Sequence, residues 1–340
     1  MKRGVTIKDL AKEAGVSITT VSQVLNQKPC RVSDETRERI IRLAEKHHYF
    51  PNGAAKSLVT AKTQTLGFLI PDITNPFFVG VARGIEDYAR EHEYNVIFCS
   101  TDDLQARENQ SLRMMMERGV DGLIIAHTAD KSDGKTLLPR LSIPTVMIDR
   151  EYNLPDQENQ LGHVLVDNKN GAKEAIRYLL ASGKKQIALL GGPEQASSAK
   201  DRKTGYIEAL TETGLAINER LISSGSYTQD SGLAQMENLL KSGEDFDALF
   251  CANDLIAMGA IRVLKQNGLS VPRDKAVVGF DDNSFAAVSS PSLTTVRQPQ
   301  YEMGQKACEI LLNALNRSES RNTDPLRIVL PTTLIVRESA

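Results

Sequence analysis

The chain has 340 residues, 41% hydrophobic and 25% charged, with a formal net charge of −2, which allows two or three domains with proper cores and excludes large-scale disorder. Its four cysteines, Cys30, Cys99, Cys251 and Cys308, lie far apart with no Cys-x-x-Cys spacing, so neither a disulfide framework nor a zinc site is expected and the metal and cofactor complement is expected to be none. No apolar run follows Met1-Lys2-Arg3-Gly4 and none approaches roughly 18 residues, so no membrane partner is expected and the location is expected to be cytoplasmic.

The near-neutral total hides an asymmetry. Residues 1–62 hold 12 Lys+Arg and 6 Asp+Glu, a net of +6, which leaves −8 for the remainder. A basic head on an acidic body points to a polyanion at the head and repels one from the body. Within that head, Thr6 stands where an N-cap belongs, with Asp9 placed to meet the helix dipole and Ile7, Leu10, Ala11 and Ala14 on one helical face. Gly15 ends this helix and Ser17 caps the next, whose apolar face is Val21, Val24 and Leu25. Two short helices joined at a glycine are the sequence form of a helix-turn-helix. The second presents Ile18, Thr19, Ser22 and Gln23, residues able to touch base edges and phosphates.

Ser33 opens a third helix with Ile40, Leu43, Ala44 and His47 on one side; His47 and His48 read as helix-end surface residues, since no third metal ligand is spaced nearby. The stretch Tyr49 to Val59, with Asn52 as a cap, reads as a helix of barely two turns, too short to stand alone in water. It is either a plain linker or a hinge that folds when DNA and a partner copy support it, with Leu58 as its wedge.

From Thr65 strands and helices alternate. Strands are expected at 66–70, 95–99, 122–126 and 145–148, with helices at 75–91 and 105–118. A second round begins at His163-Val164-Leu165-Val166 and continues with helices at 171–181, 204–213 and 255–266 and strands at 187–190, 248–251 and 276–280. Near-continuous apolar strands between amphipathic helices specify parallel sheets covered on both faces, and two such halves imply a cleft at the carboxyl ends of the strands. Those ends carry Asp72 to Phe78, Asp149-Arg150, Ala252-Asn253-Asp254 and Asp281-Asp282-Asn283, with Arg202 beginning a helix nearby. Carboxylates, Asn and Arg around aromatic rings suit a sugar or similar polyhydroxy ligand. The plainer alternative is that these Asp and Asn residues only cap helices. Asp281 and Asp282 could serve as general acid and base, yet Gly-x-Ser-x-Gly, His-Glu-x-x-His, Walker and Gly-x-Gly-x-x-Gly motifs are absent, and Leu190-Gly191-Gly192-Pro193 is a strand-end turn; no catalytic residue and no enzyme activity are expected.

Thr6 to Ala11, Ala14 to Ser17, Thr20-Val21-Ser22 with Asn26, Pro51-Asn52 through Ala55 to Leu58, Ala252-Asn253-Asp254, Val278 to Asp282 and Leu293 to Val296 together resemble the LacI-type family of bacterial transcription regulators, named for the lac and purine repressors, along almost the whole chain. The resemblance implies a small all-α helix-turn-helix headpiece (1–48), a hinge helix and linker (49–62), and an α/β periplasmic-binding-protein-like core (63–340). The core would comprise two doubly wound parallel-sheet subdomains, about 63–162 with 294–327 and about 163–291 with 328–340. The chain would cross between them near 161–165, 290–294 and 326–330. It implies base contacts by Ile18, Thr19, Gln23 and the minor-groove wedge Leu58, and phosphate contacts by Thr6, Ser17, Thr20, Ser22 and Asn26. Gln23 stands where the lac repressor has an arginine and pairs better with adenine than guanine. Gly53 departs from the larger residues usual there, weakening the hinge helix by up to ~1 kcal/mol. Effector contacts are implied at Asn75, Phe77, Phe78, Asp149, Arg202, Asn253 and Asp281. The partners would be palindromic operator DNA, a small effector with sugar favoured by Phe77-Phe78 and the acidic strand ends, and a second copy in a homodimer. No trailing leucine heptad extends that dimer to a tetramer. A purine, a sugar phosphate or a protein corepressor are the alternative effectors, and a sugar-processing enzyme with a helical head is the rival class.

Overall fold

The computed structural model describes residues 5–26, 29–50, 62–129, 136–152, 159–316 and 325–340. The chain divides into two compact units, residues 1–63 and 64–340.

In the first unit, α1 (Ile7–Ala14), α2 (Ile18–Leu25) and α3 (Asp34–Lys46) surround a core of Leu10, Ala11, Ala14, Val21, Val24, Ile40 and Ala44. Thr6 and Asp9 form a reciprocal capping box: the Asp9 N–H donates to Thr6 Oγ1 at 3.4 Å, and the Thr6 N–H donates to the Asp9 carboxylate at 2.9 Å. Gly15 closes α1 at φ +65°, a left-handed conformation that favours glycine. Ser17 then caps α2, accepting from the Thr20 N–H at 3.0 Å. The expected helix, turn and helix are present. His47 is engaged by a carboxylate, its Nε2 standing 2.7 Å from Glu13 Oε2, which ties the end of α3 to α1. The hinge expected at 49–62, with Leu58 and Gly53, lies almost wholly outside the described residues.

The second unit contains two six-stranded sheets. The first is built from β1 (Thr65–Ile70), β2 (Asn95–Ser100), β3 (Gly122–Ile125), β4 (Thr145–Ile148), β5 (Gln160–Val166) and β11 (Leu326–Leu330), in the order β11-β5-β4-β3-β1-β2. The second takes β6 (Ile187–Leu190), β7 (Ile222–Ser223), β8 (Ala248–Cys251), β9 (Ala276–Asp281), β10 (Thr294–Arg297) and β12 (Thr333–Ile335), in the order β12-β10-β9-β8-β6-β7. Every pairing is parallel except β10 with β12. The helices are α4 (Pro76–Glu91), α5 (Gln105–Glu117), α6 (Asn168–Ala181), α7 (Ser197–Glu212), α8 (Gln229–Ser242), α9 (Asp254–Gln266) and α10 (Gln300–Leu315).

The crossings between the sheets fall a few residues later than expected. His163 to Val166 belong to β5, buried throughout and paired with β4 and β11 in the first sheet, rather than opening the second half. Thr294 to Arg297 pair with β9 in the second sheet, so the return to the first half begins only after Arg297. Leu326 to Leu330 pair with β5 and stay with the first sheet; the chain reaches the second at β12. Each strand completes its ladder before the backbone leaves, because a buried unpaired N–H or C=O costs free energy comparable to a lost hydrogen bond. α10 then packs on α4 at the closest approach a helix pair allows: a Cβ on Gly84 would lie 2.1 Å from the Tyr301 carbonyl oxygen, and one on Gly304 2.1 Å from that of Val81.

Candidate functional site

The carboxyl ends of both sheets open onto one cavity of about 370 Å³, of the size that takes small molecules. All seven residues expected at an effector site line it: Asn75, Phe77, Phe78 and Asp149 from the first sheet and its helices, Arg202, Asn253 and Asp281 from the second. Asn75 caps α4, its side-chain oxygen accepting from the Phe77 N–H at 3.1 Å. Pro76 is thereby set at the first helical position, and Phe77 and Phe78 pack edge to face with centroids 5.0 Å apart. Asn253 likewise caps α9, accepting from the Ile256 N–H at 2.9 Å. The capping interpretation of these two residues and their place in the cavity wall are therefore compatible: the cap consumes one oxygen and fixes the side chain.

Arg202 is buried at 3% exposure. It donates to Asn168 Oδ1 at 2.8 Å and to the Ala252 carbonyl at 2.6 Å, and lies 3.8 Å above the centroid of Phe280. Its Nη1 is 3.8 Å from Asp281 Oδ1. Asp281 ends β9 at φ +116°, a backbone conformation that side chains rarely adopt. Gln298, on the crossover after β10, donates to Asp281 Oδ1 at 2.6 Å, while its own Oε1 is buried with no hydrogen-bond partner among the described residues. Burial raises the Asp281 carboxyl from 3.8 to about 7; Arg202 and Gln298 oppose this and Asp149 adds to it. Behind it, burial and then the Asp281 charge push Asp254 well above the usual carboxylate range, although Thr295 Oγ1 at 2.5 Å and the Asn283 N–H at 2.9 Å donate to it.

In the first sheet's wall Arg150 Nη1 donates to Asp103 Oδ1 at 2.6 Å and to the His127 carbonyl at 3.0 Å. Asp149, at φ +65°, stands 3.7 Å from Arg150 Nε and so has the weaker share of that cation. Burial raises the Asp149 carboxyl against the pull of Arg150 and Arg202. Burial alone would lower Arg150, but Asp103 and Asp149 outweigh it and its affinity for the proton rises. Tyr227 completes the wall between the two guanidiniums, its ring centroid 6.0 Å from that of Arg150 and 5.6 Å from that of Arg202. The cavity thus offers aromatic surface, hydrogen-bond acceptors and a few donors, the set a polyhydroxy ligand uses.

Asp103, Ser198, Tyr227 and Gln298 also line the cavity and were not expected there. Tyr227 follows a two-residue strand too short to show a period, and Asp103 follows β2, whose edge position blurs its apolar pattern. Arg202 sits in the second turn of α7 rather than at its start, because α7 begins at Ser197 in a polar stretch, well before the apolar period from Thr204 that periodicity detects.

In the first unit, Ser17, Ile18 and Thr19 are exposed, and Thr20, Ser22 and Gln23 are half-buried. All five of the expected phosphate-contacting side chains have internal partners: the Thr6 hydroxyl donates to Asp9 Oδ2 at 2.7 Å, the Ser17 and Thr20 hydroxyls share a hydrogen bond at 2.9 Å, and the Asn26 amide donates to the Ser22 carbonyl at 2.7 Å and to the Ser22 hydroxyl at 3.4 Å. Leu58 lies outside the described residues.

Two family models cover this architecture. Residues 6–52 match "Bacterial regulatory proteins, lacI family", and residues 63–333 match "Periplasmic binding proteins and sugar binding domain of LacI family". The chain belongs to the LacI family. It is 37% identical over 335 residues to the HTH-type transcriptional regulator RegA of Clostridium saccharobutylicum, covering 98% of both chains. Among solved structures, it is similar to the transcriptional regulator CelR in complex with cellobiose, with a TM-score of 0.73 and 31% identity over 99% of this chain and 100% of that one. It is also similar to the lac repressor dimer bound to operator and the anti-inducer ONPF, with a TM-score of 0.84 and 27% identity over 99% of each chain. This LacI-family chain is a DNA-binding transcriptional regulator built from a helix-turn-helix headpiece and a periplasmic-binding-protein-like core. Among the described residues no helix is long and apolar enough to cross a membrane.

Proposed function

We propose that the protein is a cytoplasmic repressor that binds a palindromic operator as a homodimer and whose grip on DNA is set by a sugar in the core cavity. The observation that carries this is the cavity itself, in which aromatic faces, two arginines and the Asn253, Asp149 and Asp281 side chains converge from both sheets. A ligand touching both walls has differential affinity for their open and closed arrangements, and only such a ligand shifts that equilibrium. The sugar-bound CelR and operator-bound lac repressor supply the precedent for each end of the coupling.

The proposed division of labour assigns residues 1–48 to DNA, 49–62 to the hinge and 63–340 to effector binding and dimerisation. Ile18, Thr19 and Gln23 read base edges, Leu58 wedges the minor groove, and Thr6, Ser17, Thr20, Ser22 and Asn26 hold phosphates. Ser17 does so while capping α2, its backbone N–H lying at a helix N-terminus that favours anions. Asn75, Phe77, Phe78, Asp149, Arg202, Asn253 and Asp281 hold the effector, which is bound and released unchanged. Calorimetry of the full chain against sugars and nucleobases, followed by operator mobility shifts with whichever binds, tests this. Binding of nucleobases alone overturns the sugar assignment, and turnover of a bound sugar overturns the regulator-only assignment.

A further inference from the structure

Five carboxylates line the cavity, Asp72, Asp102, Asp103, Asp149 and Asp281. Against them stand two guanidiniums, Arg150 and Arg202. Arg107 pairs with Asp102 from outside the wall, so with all five carboxylates ionised the excess is two negative charges. Neither arginine in the wall offers a free fork. Arg150 gives Nη1 to Asp103 and the His127 carbonyl, while its Nε, without a hydrogen-bond partner among the described residues, is buried 3.7 Å from Asp149; Arg202 gives Nε to Asn168 and Nη1 to the Ala252 carbonyl, with its face covered by Phe280. A phosphate is gripped in bidentate geometry by two neighbouring guanidinium nitrogens, and with Nε and Nη1 of each arginine engaged or buried only Nη2 is left on each.

The helix starts do not compensate. Those of α4 and α9 are capped by Asn75 and Asn253, which take N–H donors an anion would need. Among the described residues at the wall, α7 begins at Ala196 without a side-chain cap, and a partly buried helix start favours an anion by at most about thirtyfold. Two carboxylates against a phosphate dianion make four like-charge pairs, each worth about 2 kcal/mol or about thirtyfold at ~8 Å and an effective dielectric constant of about 20, so their repulsion outweighs it.

From this charge balance we infer that the effector is an uncharged saccharide and that the cavity rejects its phosphorylated form. The inference rests on the sugar assignment proposed above and adds the charge class. The same carboxylates that repel phosphate are the acceptors an uncharged sugar needs, since each accepts from hydroxyl donors and none can donate when ionised.

The test is calorimetry of the full chain at pH 8 with glucose, ribose and cellobiose, set against glucose 6-phosphate and ribose 5-phosphate, with adenine and guanine as further ligands. The expected result is that at least one uncharged sugar binds, and that a phosphorylated sugar binds at least about thirtyfold more weakly than its parent. Asp72→Asn should narrow that ratio at least about threefold, because it removes one unit of repulsion without adding a donor fork. A phosphorylated sugar binding as tightly as its parent overturns this inference and leaves the sugar assignment standing. If no uncharged sugar binds, or adenine or guanine binds in its place, both fall.

Discussion

Replacing Asp281 by Asn should make the core more stable and effector binding weaker, a combination that separates a binding carboxylate from a structural one. The side chain is 3% exposed, and its carboxyl is raised from 3.8 to about 7 by burial, with Asp149 adding to this against Arg202 and Gln298. The folded state therefore holds a proton that the unfolded chain releases near pH 4. Between about pH 4 and 7 the folded state binds more protons than the unfolded state, so stability falls as pH rises and levels off above about 7. A rise from 3.8 to about 7 corresponds to at most about 4 kcal/mol, at 1.36 kcal/mol per pH unit. Asn cannot ionise, yet its side-chain oxygen still accepts from Gln298 Nε2, which in the native protein is 2.6 Å away. Losing the charge removes one partner of Arg202, but that contact is loose at 3.8 Å, and Arg202 keeps Asn168, the Ala252 carbonyl and the Phe280 face. The relief of burial wins. Asp281→Asn should gain on the order of 2 kcal/mol at pH 8 and little at pH 5. Hydrogen bonds to a charged acceptor contribute about 1.5–3 kcal/mol, so effector affinity should fall roughly tenfold to a hundredfold. Denaturant unfolding of the core at pH 5, 6.5 and 8, paired with effector titration, measures both. A variant less stable than the native chain at pH 8, or equally responsive to effector, refutes the assignment.

Gln23→Arg should move base preference from adenine toward guanine at one position of each half-site by about 1–3 kcal/mol, read by binding to a duplex library; an unchanged preference removes Gln23 from the base-reading set. Leu58→Ala should weaken operator binding more than binding to random DNA, since wedging serves only the bent specific complex, and equal losses would refute the wedge. Gly84→Val should destabilise the core by about 1–3 kcal/mol or more by driving α4 from α10, where an added Cβ would fall 2.1 Å from the Tyr301 carbonyl oxygen; a melting point unchanged within error would contradict that packing.

Much of the fold was legible because buried parallel strands are apolar without interruption: Leu123 to Ile125 and Val277 to Phe280 stand out from their polar flanks. The crossings were misjudged by a few residues because hydrophobicity does not say which sheet a strand joins. Val164 and Val296 are equally buried, and only the ladder partners β4 and β9 assign them. The cavity residues visible in sequence were those at the ends of strong strands or beginning strong helices, Asp149, Asn253 and Asp281 among them. Tyr227 and Gln298 were not visible, since one follows a two-residue strand and the other sits on a crossover whose position depends on pairing between distant segments. Likewise, the acidic excess of the cavity emerges only when Asp72 and Asp103 meet Asp281, some two hundred residues further along the chain, around one cavity.

The central claim is that a ligand in the core cavity governs the headpiece's hold on DNA. Its most direct test is a mobility-shift titration of the full chain on an operator selected from random duplexes, with and without the sugar identified by calorimetry, repeated with Asp281→Asn. The expected result is an operator affinity that changes with sugar over the range in which the sugar binds, and a change displaced to higher sugar concentration in the variant. Sugar binding that leaves operator affinity untouched would contradict the account.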